Sequence, residues 1–486
     1  MRLFCLMLLC IFLSAPAFAA NHYVRAGASG TADGSNWTNA CTDFTGSCAV
    51  ASLVRGDTYY VGTGTYASVN FTTAESGSLV ITVKGATAAD HGTSTGWLSS
   101  YGVDVTPAQF SQAAGFSVEI ETSYFTFDGA VGSGSNSSSY GFKLQQPVSC
   151  ATAQDNVLFV GKINTTQTTT DVIVRHVAYP SCGAANDVSQ LPFVFGCAQC
   201  YITNSTFSYL YASGGNKAFQ ITNVSNSTLE YSWSQDQWSS SAHHGETISI
   251  NNCHNSDVGG CTTACTQGSC AINNTIRYNV FKNCRGTACI AALDPGNPNS
   301  MPGTKIYGNV FVDSTAGNAV IGTGSTATNY LKDVLIYNNT FVDIASNYIV
   351  WQCGSTTPCV SAAGNAFQNN LLYNSTSVVN ADTGSAITKT YNAYLSATDT
   401  PSAEANGQIA TLNPFVNYAG ANYHLANGTS VNAGTPLSSP YNQDMDGNTR
   451  AVDSTWDRGA FEFVTVVPNS HALTGALSLS GTVVLQ

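Results

Sequence analysis

The pattern of apolar and polar residues repeats along the second half of the chain with a period near 30 residues. Residues 304–313 read TKIYGNVFVD, residues 334–343 read VLIYNNTFVD, and related stretches occupy 275–283 and 366–374. One apolar position is shared by the repeats. It holds Phe281, Phe311 and Phe341 and then Leu372 in the following repeat, at spacings of 30, 30 and 31 residues. A fixed period in this range is typical of a solenoid, in which each repeat buries its apolar face against the next.

Each repeat reads as three short strands separated by turns. Between Ala288 and Asp313 the strands ACIAAL, TKIYG and VFVD are separated by a turn-rich loop and by a bend at Asn309. We count about eight or nine such coils between Tyr124 and Asn380. Strands this short must stack into parallel sheets around a continuous core. The sequence therefore predicts an all-β solenoid of three-strand coils.

The bend between the last two strands of a coil repeatedly carries asparagine, at positions 279, 309, 339 and 370. Asparagine tolerates the left-handed conformation of a bend, so we expect it to occupy the bend itself. Its amide can also bond to the rungs above and below, as in other stacked structures. The sequence predicts an internal asparagine ladder beside a column of stacked phenylalanines.

The composition fits an exported protein with many turns. Residues 1–19 combine a basic start, an apolar run and an Ala-Phe-Ala end, which is the pattern of a secretory signal peptide. No other stretch is long and apolar enough to span a membrane. The formal net charge is −12 and charged residues make up 9% of the chain. This acidic balance argues against a nucleic-acid partner, which requires a basic footprint.

Sixteen cysteines are present, of which Cys5 and Cys10 lie in the leader. An even number in an exported chain predicts disulfides. Local pairs are expected at Cys41–Cys48, Cys284–Cys289 and Cys353–Cys359. Four further cysteines, at 253, 261, 265 and 270, lie within one insertion. A zinc knuckle with His254 is the alternative there, although the spacing matches no standard zinc pattern.

The chain resembles the right-handed parallel β-helix proteins of the pectate-lyase-like superfamily. The resemblance rests on the entry segments at 21–44 and 55–66, on the coils, and on the closing segments at 423–436 and 444–463. It implies a single-stranded right-handed parallel β-helix. The expected divisions are a signal peptide at 1–19, an N-terminal cap with the first coils at 20–123, central coils at 124–400, a closing segment at 401–463 and a tail at 464–486. The superfamily includes lyases, hydrolases and non-enzymatic adhesins, so the fold alone names no reaction.

In enzymes of this superfamily the cleft usually follows one sheet. Here that sheet is expected to include 141–145, 156–162, 217–222, 243–250, 288–294 and 348–352. Its densest polar stretch is WSQDQWSSSAHHGETISI at 233–250. The candidate catalytic residues are Lys217, Asp236, His243, His244, Glu246 and Asp294. The candidate sugar-binding residues are Gln220, Trp238 and Trp351.

Two reactions would use these residues differently. A lyase needs a base such as lysine or histidine to remove the α-proton of a uronate. A hydrolase needs two carboxylates, for which Glu246 with Asp294, or Asp236 with Glu246, are the candidate pairs. The diagnostic motifs of known polygalacturonases and pectate lyases are absent. The alternative interpretation is a polar turn followed by a solvated sheet face.

The acidic turn Asp444-Met445-Asp446-Gly447-Asn448 offers oxygen ligands for calcium through Asp444, Asp446 and Asn448. It lacks the full spacing of a helix-loop-helix site, and a structural Asx turn is the alternative.

We expect a secreted monomer that acts on or binds extracellular polysaccharide, with an adhesin or cell-envelope structural protein at a cell surface as the rival interpretation. An enzyme should place two titratable groups within about 10 Å in one groove beside the loop at 251–273. An adhesin should show only amides, hydroxyls and aromatic rings there.

Overall fold

The computed structural model describes residues 19–111, 116–145, 156–162, 167–180, 191–197, 200–237, 245–251, 271–292, 299–323, 330–352, 364–380, 387–398, 404–428 and 431–464. Within these ranges the chain is a right-handed parallel β-helix, the fold that the resemblance implies, built from the stacked coils that the repeat pattern predicts. The regular helical elements of the described residues are four short 3-10 turns, at Gly46–Cys48, Val50–Ser52, Ser99–Tyr101 and Ser137–Ser139. Among the described residues, no helix is long and apolar enough to cross a membrane.

The largest sheet, here called the long sheet, contains 22 strands in the described residues and consists of two parallel ladders side by side. The first ladder contains Asn21–Val24, Thr58–Val61, Ile81–Gly85, Phe125–Asp128, Val172–Tyr179, Thr206–Ser213, Thr228–Glu230, Thr275–Arg277, Lys305–Tyr307, Leu335–Tyr337, Ala366–Gln368 and Thr388–Thr390. The second contains Gly64–Tyr66, Ala108–Ser111, Phe142–Gln145, Trp233–Gln235, Val280–Lys282, Val310–Val312, Thr340–Val342, Leu371–Tyr373, Ala393–Leu395 and Gln408–Ala410. The ladders merge where Val172–Tyr179 and Thr206–Ser213 continue through the bend.

The third side of the coils is a ten-stranded sheet of described residues. Its strands are Val69–Phe71, Val118–Ile120, Asn156–Val160, Leu191–Phe195, Phe219–Thr222, Ile248–Asn251, Ala288–Ala292, Ala319–Thr323, Tyr348–Trp351 and Val378–Asn380. The predicted cleft sheet is thus observed, with one correction. Residues 141–145 lie in the long sheet, where Phe142–Gln145 pairs with Ala108–Ser111.

Three smaller sheets complete the described structure. Their strands are Thr168–Thr170, Tyr201–Thr203 and Val224–Ser225 in a three-stranded sheet, Asn299–Ser300 and Tyr330–Leu331 in a parallel pair, and Phe415–Asn417 and Asn422–Leu425 in an antiparallel hairpin. The long sheet is continuous across residue 123, so no break in pairing marks the predicted end of the N-terminal segment.

The interior confirms the predicted ladder and the predicted aromatic column. The Oδ1 atom of Asn309 accepts hydrogen bonds from the backbone and side-chain nitrogens of Asn279, each at 3.0 Å, and Asn339 does the same for Asn309. Phe281, Phe311 and Phe341 are in register and fully buried. Because every rung satisfies the amides of the previous coil, the ladder keeps the polar groups of the bend bonded inside an apolar core.

The ladder is longer than the sequence indicated. Asn370 donates from its backbone and side chain to Asn392, and Asn392 donates in the same way to Glu404 Oε1, which ends the ladder. At the other end the Ser232 backbone N–H donates to Asn279. The ladder therefore begins at a serine and ends at a carboxylate.

The expectation that the ladder asparagines themselves take the left-handed bend is wrong. The positive φ angles belong to the residue before each ladder asparagine: Tyr278 (57°), Gly308 (64°), Asn338 (53°) and Asn369 (54°). The residue that turns the chain and the residue that bonds to the next coil are adjacent positions, because an inward amide needs the extended backbone that follows the bend.

Two of the predicted disulfides are confirmed, Cys41–Cys48 and Cys284–Cys289. A third, Cys197–Cys200, was not predicted. Cys353–Cys359 and the four-cysteine insertion lie outside the described residues, as do residues 1–18 of the predicted signal peptide and the tail after Val464.

The end of the described chain folds back on the outer side of the long sheet. Trp456 Nε1 donates to Asn338 Oδ1 at 3.2 Å, and Tyr441 packs its ring edge against Tyr307 and Tyr337. Arg450 is buried and donates to the backbone carbonyls of Asp457, Gly459 and Ala460. This segment covers the later coils of the long sheet and leaves the ten-stranded sheet as the separate face considered next.

Candidate functional site

One residue from each of nine strands of the ten-stranded sheet points away from the core, and these residues form a column, here called the outer column. Pairing register places its members in the order Asn70, Glu119, Phe159, Val194, Gln220, Ser249, Ala291, Gly322 and Trp351. Their neighbours along each strand, such as Val118 and Ile120, are fully buried in the core. Neighbouring strands lie about 4.8 Å apart, so each coil adds one side chain to this face.

Two carboxyl groups lie together near the start of the outer column. Glu119 and Glu121 are two residues apart around the buried Ile120, so both point away from the core. Asn70, on the preceding strand, donates from Nδ2 to Glu121 Oε1 at 2.8 Å. Burial and the negative charge of Glu121 raise the pKa of Glu119 to about 7.

The surroundings of this carboxyl pair are apolar on one side and charged on the other. Phe159 is in register with Glu119 and packs with Leu191, Val194 and Cys200 in a small buried cluster. After the Phe159 strand, Lys162 forms an ion pair with Glu75 at 2.8 Å. The apolar side is the physical reason that ionisation of Glu119 is disfavoured.

A carboxyl group whose pKa is raised to about 7 has the proton affinity that a general acid needs near neutral pH. This pair is not among the site residues predicted from the sequence. The signal was present in SVEIET at 117–122, where glutamates alternate with core residues, but the same alternation is typical of any solvated strand.

Four of the predicted site residues lie outside the described residues: Trp238, His243, His244 and Asp294. Their roles stay predictions.

Lys217 and Gln220 lie one coil before Glu246, as expected. Gln220 is in register with Ser249, and the Phe219 backbone N–H donates to the Thr247 carbonyl. Lys217 and Gln220 are partly exposed. Glu246 was expected on the open face, yet its side chain is fully buried at the start of its strand. It therefore does not present a carboxylate to solvent in this structure, and its catalytic role stays a prediction.

Asp236 belongs to a different sheet from Glu246. It ends the strand Trp233–Gln235 of the long sheet in a left-handed conformation, with φ 58°. Its Oδ1 accepts a hydrogen bond from Asn283 at the equivalent position of the next coil. This bond gives Asp236 a structural partner, whereas the predicted catalytic pairing with Glu246 stays untested.

Trp351 lies in the outer column as a partly exposed side chain, with its ring at 5.9 Å from that of Tyr348. Four coils separate it from Gln220, which corresponds to roughly 19 Å along the helix axis. The two predicted sugar-binding residues therefore share one face without contacting the same sugar unit.

The acidic turn near the end of the chain has the geometry of the Asx-turn alternative. Asp444 is fully buried, and its carboxylate accepts from the backbone N–H groups of Asp446, Asn448 and Glu462 and from the Asn448 side chain. Asp446 forms an ion pair with His424 at 2.7 Å. Within the described residues, no group of three or more histidine, cysteine or acidic side chains is arranged to hold a metal. Calcium binding by Asp444, Asp446 and Asn448 stays a prediction.

A separate groove lies against the three-stranded sheet. Its volume is about 400 Å³, and its lining residues are Thr168, Ile202, Thr203, Ser225, Asn226, Ile272 and Asn273. Ile272 and Asn273 close the interval 251–273 that the sequence singled out as the wall of a groove. The described lining offers hydroxyls, amides and aliphatic side chains.

No protein-family model matches this chain, and no curated protein matches its sequence. Solved structures do resemble its fold. Pectate lyase Pel9A is 13% identical, with a TM-score of 0.51 over 92% of this chain and 97% of that one. A surface protein and adhesin of Streptococcus pneumoniae, PfbA, is 15% identical, with a TM-score of 0.39 over 74% and 82% of the two chains. A PL6 family polysaccharide lyase from Pseudopedobacter saltans is 13% identical, with a TM-score of 0.39 over 81% and 95%. The likeness to Pel9A supports the parallel β-helix fold and leaves the reaction to be argued from this chain's own residues.

Proposed function

We propose that this protein binds an extracellular polysaccharide along the outer face of its ten-stranded sheet and hydrolyses it. The observation that carries the proposal is the carboxyl pair Glu119 and Glu121, in which one group keeps its proton near neutral pH. Hydrolysis needs two carboxyl groups beside the scissile bond, one of which donates a proton; the raised pKa of Glu119 suits that role, and Glu121, held by Asn70, is the proposed second group.

In the proposed reaction, Glu119 gives its proton to the glycosidic oxygen as the bond from that oxygen to the anomeric carbon breaks. Glu121 takes a proton from the water molecule that attacks the anomeric carbon. The products are a new reducing end and a new non-reducing end; Glu119 is left ionised and Glu121 protonated, and exchange with water returns the proton from Glu121 to Glu119. Asn70 orients Glu121 through its hydrogen bond.

The electrostatics of the pair favour an uncharged substrate. A uronate carboxylate would meet two acidic side chains, and the nearest described cation along the strand, Lys162, is bound to Glu75. A uronate would need a bridging cation such as calcium. We keep calcium at Asp444, Asp446 and Asn448 as a proposal that chelation tests: if it binds there, chelators should lower the melting temperature of the protein.

The test is a panel of neutral and uronate polysaccharides incubated with purified protein lacking residues 1–19. Reducing ends and absorbance from unsaturated ends are followed separately. Reducing ends without unsaturated ends support hydrolysis. Unsaturated ends would replace it with elimination, and would direct attention to Lys217, His243 and His244. Absence of both products would refute catalysis on the polymers tested.

A non-catalytic adhesin is the second candidate, and one observation favours it. The groove at the end of the 251–273 interval is lined, among the described residues, by hydroxyls, amides and aliphatic groups. That is the lining expected of a binding surface. Retained polysaccharide binding with no cleavage of any polymer would make this candidate the better one.

Export and release are part of the proposal and rest on residues 1–19. Expression of the full chain in a secreting host, followed by N-terminal sequencing of the protein in the medium, tests it. A mature N-terminus at Ala20 supports the proposed cleavage, and an intact Met1 on intracellular protein refutes it.

A further inference from the structure

The groove against the three-stranded sheet is built from consecutive coils. Thr168 pairs with Tyr201, Thr203 pairs with Ser225, and the bend after each strand contributes the next polar residue. Among its lining residues, Thr168, Asn226 and Asn273 are exposed, whereas Ile202 and Ser225 form its buried floor. Its volume of about 400 Å³ lies within the range of small-molecule sites.

The chemistry of the groove is polar and uncharged. Serine, threonine and asparagine side chains each offer both a donor and an acceptor, which matches the hydroxyl groups of a sugar. Ile272, which is partly exposed, provides an apolar contact for the carbon face of a sugar ring. None of the described lining residues is charged.

The polar groups of the groove are only weakly bonded to one another. Asn273 Nδ2 lies 3.4 Å from Asn226 Oδ1, and Ser225 Oγ lies 3.4 Å from Thr203 Oγ1. Both distances exceed the usual range of strong hydrogen bonds. A ligand hydroxyl can replace such contacts with little loss, because the groups that it displaces were poorly bonded.

Two asparagines of the groove, Asn226 and Asn273, continue a row of bend asparagines that recurs with the coil repeat. Asn204, Asn226 and Asn273 occupy the left-handed bend of three successive coils, with φ of 51°, 50° and 54°. Successive coils are about 4.8 Å apart, so amides are presented at regular intervals along the axis. A regular row of amides suits a polymer with a short repeat better than a compact ligand.

The local charge disfavours anions. Asp171 occupies the same bend position one coil before Asn204 and is exposed, and the chain carries a formal net charge of −12. A uronate chain along this row would approach a carboxylate without meeting a described lysine, arginine or histidine of the lining.

We propose that this groove is a binding site for an uncharged oligosaccharide, separate from the carboxyl pair at Glu119 and Glu121. The polymer class rests on the proposed function, whereas the neutrality of the ligand rests on the groove itself.

The test is isothermal titration calorimetry with oligosaccharides from cellulose, xylan and mannan and with oligogalacturonate. The host protein carries Glu119→Gln, so that no ligand is cleaved during the titration. Asn226→Gly removes one amide from the groove, and glycine accepts the positive φ without strain. Asn204→Gly is the matched control, because Asn204 has the same conformation and exposure but does not line the groove.

At least one neutral oligosaccharide should bind, and Asn226→Gly should weaken that binding by about tenfold, the effect of one well-placed hydrogen-bonding group. Asn204→Gly should change it by less than about twofold, well under one hydrogen bond. The proposal is overturned if no neutral oligosaccharide binds, if oligogalacturonate binds as tightly, or if both glycine variants weaken binding equally.

The result of this binding test can be distinguished from the result of the test of hydrolysis. Neutral binding that depends on Asn226, together with absent cleavage by the wild-type protein, would leave the groove supported and refute the catalytic pair. Cleavage by the wild type with binding insensitive to Asn226→Gly would refute the groove alone.

Discussion

The interior ladder and the outer column run through the same coils and differ in what each coil contributes. The ladder carries asparagine at five positions, Asn279, Asn309, Asn339, Asn370 and Asn392, each bonded to the next. The outer column changes its residue at almost every coil, from Asn70 and Glu119 to Gly322 and Trp351. A side chain inside must satisfy two neighbouring coils at once, whereas one outside meets fewer constraints from its neighbours.

This difference separates positions that hold the fold from positions available for chemistry. A ladder asparagine leaves buried donors unsatisfied when it is removed, so the position is fixed by its neighbours. An exposed outward side chain can change with little structural penalty, whereas Phe159, Val194, Ser249 and Ala291 of the outer column are buried. Glu119 differs from these neutral positions, because its partly buried carboxyl group lies beside a like charge. Such an arrangement lowers stability and favours chemistry.

The largest expected effect is on catalysis at the outer column. Glu119→Gln should lower the hydrolysis rate by roughly a hundredfold or more, because general acid catalysis typically contributes that much. Measured at pH 6, the melting temperature should stay close to that of the wild type. Asn204→Gly, at a left-handed bend outside the ten-stranded sheet, is the control and should leave the turnover unchanged. Full activity in Glu119→Gln would remove the carboxyl pair from the site.

The next effect is on stability and belongs to the ladder. Asn309→Leu removes the acceptor for two Asn279 donors and the donor to Asn339, all of them buried. We expect a loss of about 2–4 kcal/mol in the free energy of unfolding. Chemical denaturation followed by circular dichroism measures it. Gln220→Ala should cost less than about 0.5 kcal/mol in the same assay, as outer positions usually do. Equal losses in the two variants would erase the distinction between inside and outside.

A smaller effect is expected where the ladder ends. Glu404 accepts from both nitrogens of Asn392 and from the Tyr394 hydroxyl. Glu404→Ala should cost about 1–2 kcal/mol, less than an internal rung, because one side of the last rung has no further asparagine. Glu404→Gln keeps an acceptor for Asn392 and should recover most of that loss. If the glutamine variant were as unstable as the alanine variant, the ladder would not end on a hydrogen bond.

The sequence predicted the repeated interior of the coils better than the features that depart from the repeat. The Phe281, Phe311 and Phe341 column was predictable because stacking repeats one residue at one spacing. The Asn392 rung was missed because its distance from Asn370 is 22 residues and breaks the period near 30. Phe142–Gln145 was assigned to the wrong sheet, since all three strands of a coil bury alternate residues and look alike in sequence.

The candidate site was less predictable for a physical reason. Clusters such as 233–250 attract notice because reactive residues are close along the chain, whereas a site on a solenoid is assembled from different coils. Asp236 and Glu246 are ten positions apart, yet they belong to different sheets. Asn70 and Glu121 are far apart in sequence, yet they share a hydrogen bond. Only the register between coils reveals such pairs.

The smallest expected effect concerns the free energy of unfolding. It tests whether Glu119 of the outer column lowers stability, in contrast to the ladder, which raises it. The pKa of Glu119 is about 7 in the folded protein, raised by burial and by Glu121, against about 4.3 in the unfolded chain. Glu119 therefore holds its proton more tightly in the folded state than in the unfolded chain. The protonated Glu119 contributes fully to stability below about pH 4.3, and this contribution is lost as the pH rises to about 7. Wild type should therefore lose stability relative to Glu119→Gln between pH 5 and pH 8, by less than about 1 kcal/mol, since solvent screens a partly exposed group. Denaturant titrations of both proteins at the two pH values measure the difference.

Glu75, whose pKa is about 2 because hydrogen bonds from Lys162 and Ser123 outweigh its burial, titrates below this window and does not interfere. Parallel stability curves for the two proteins would mean that Glu119 ionises as freely in the fold as in the unfolded chain, and the outer column would then be an ordinary solvated face.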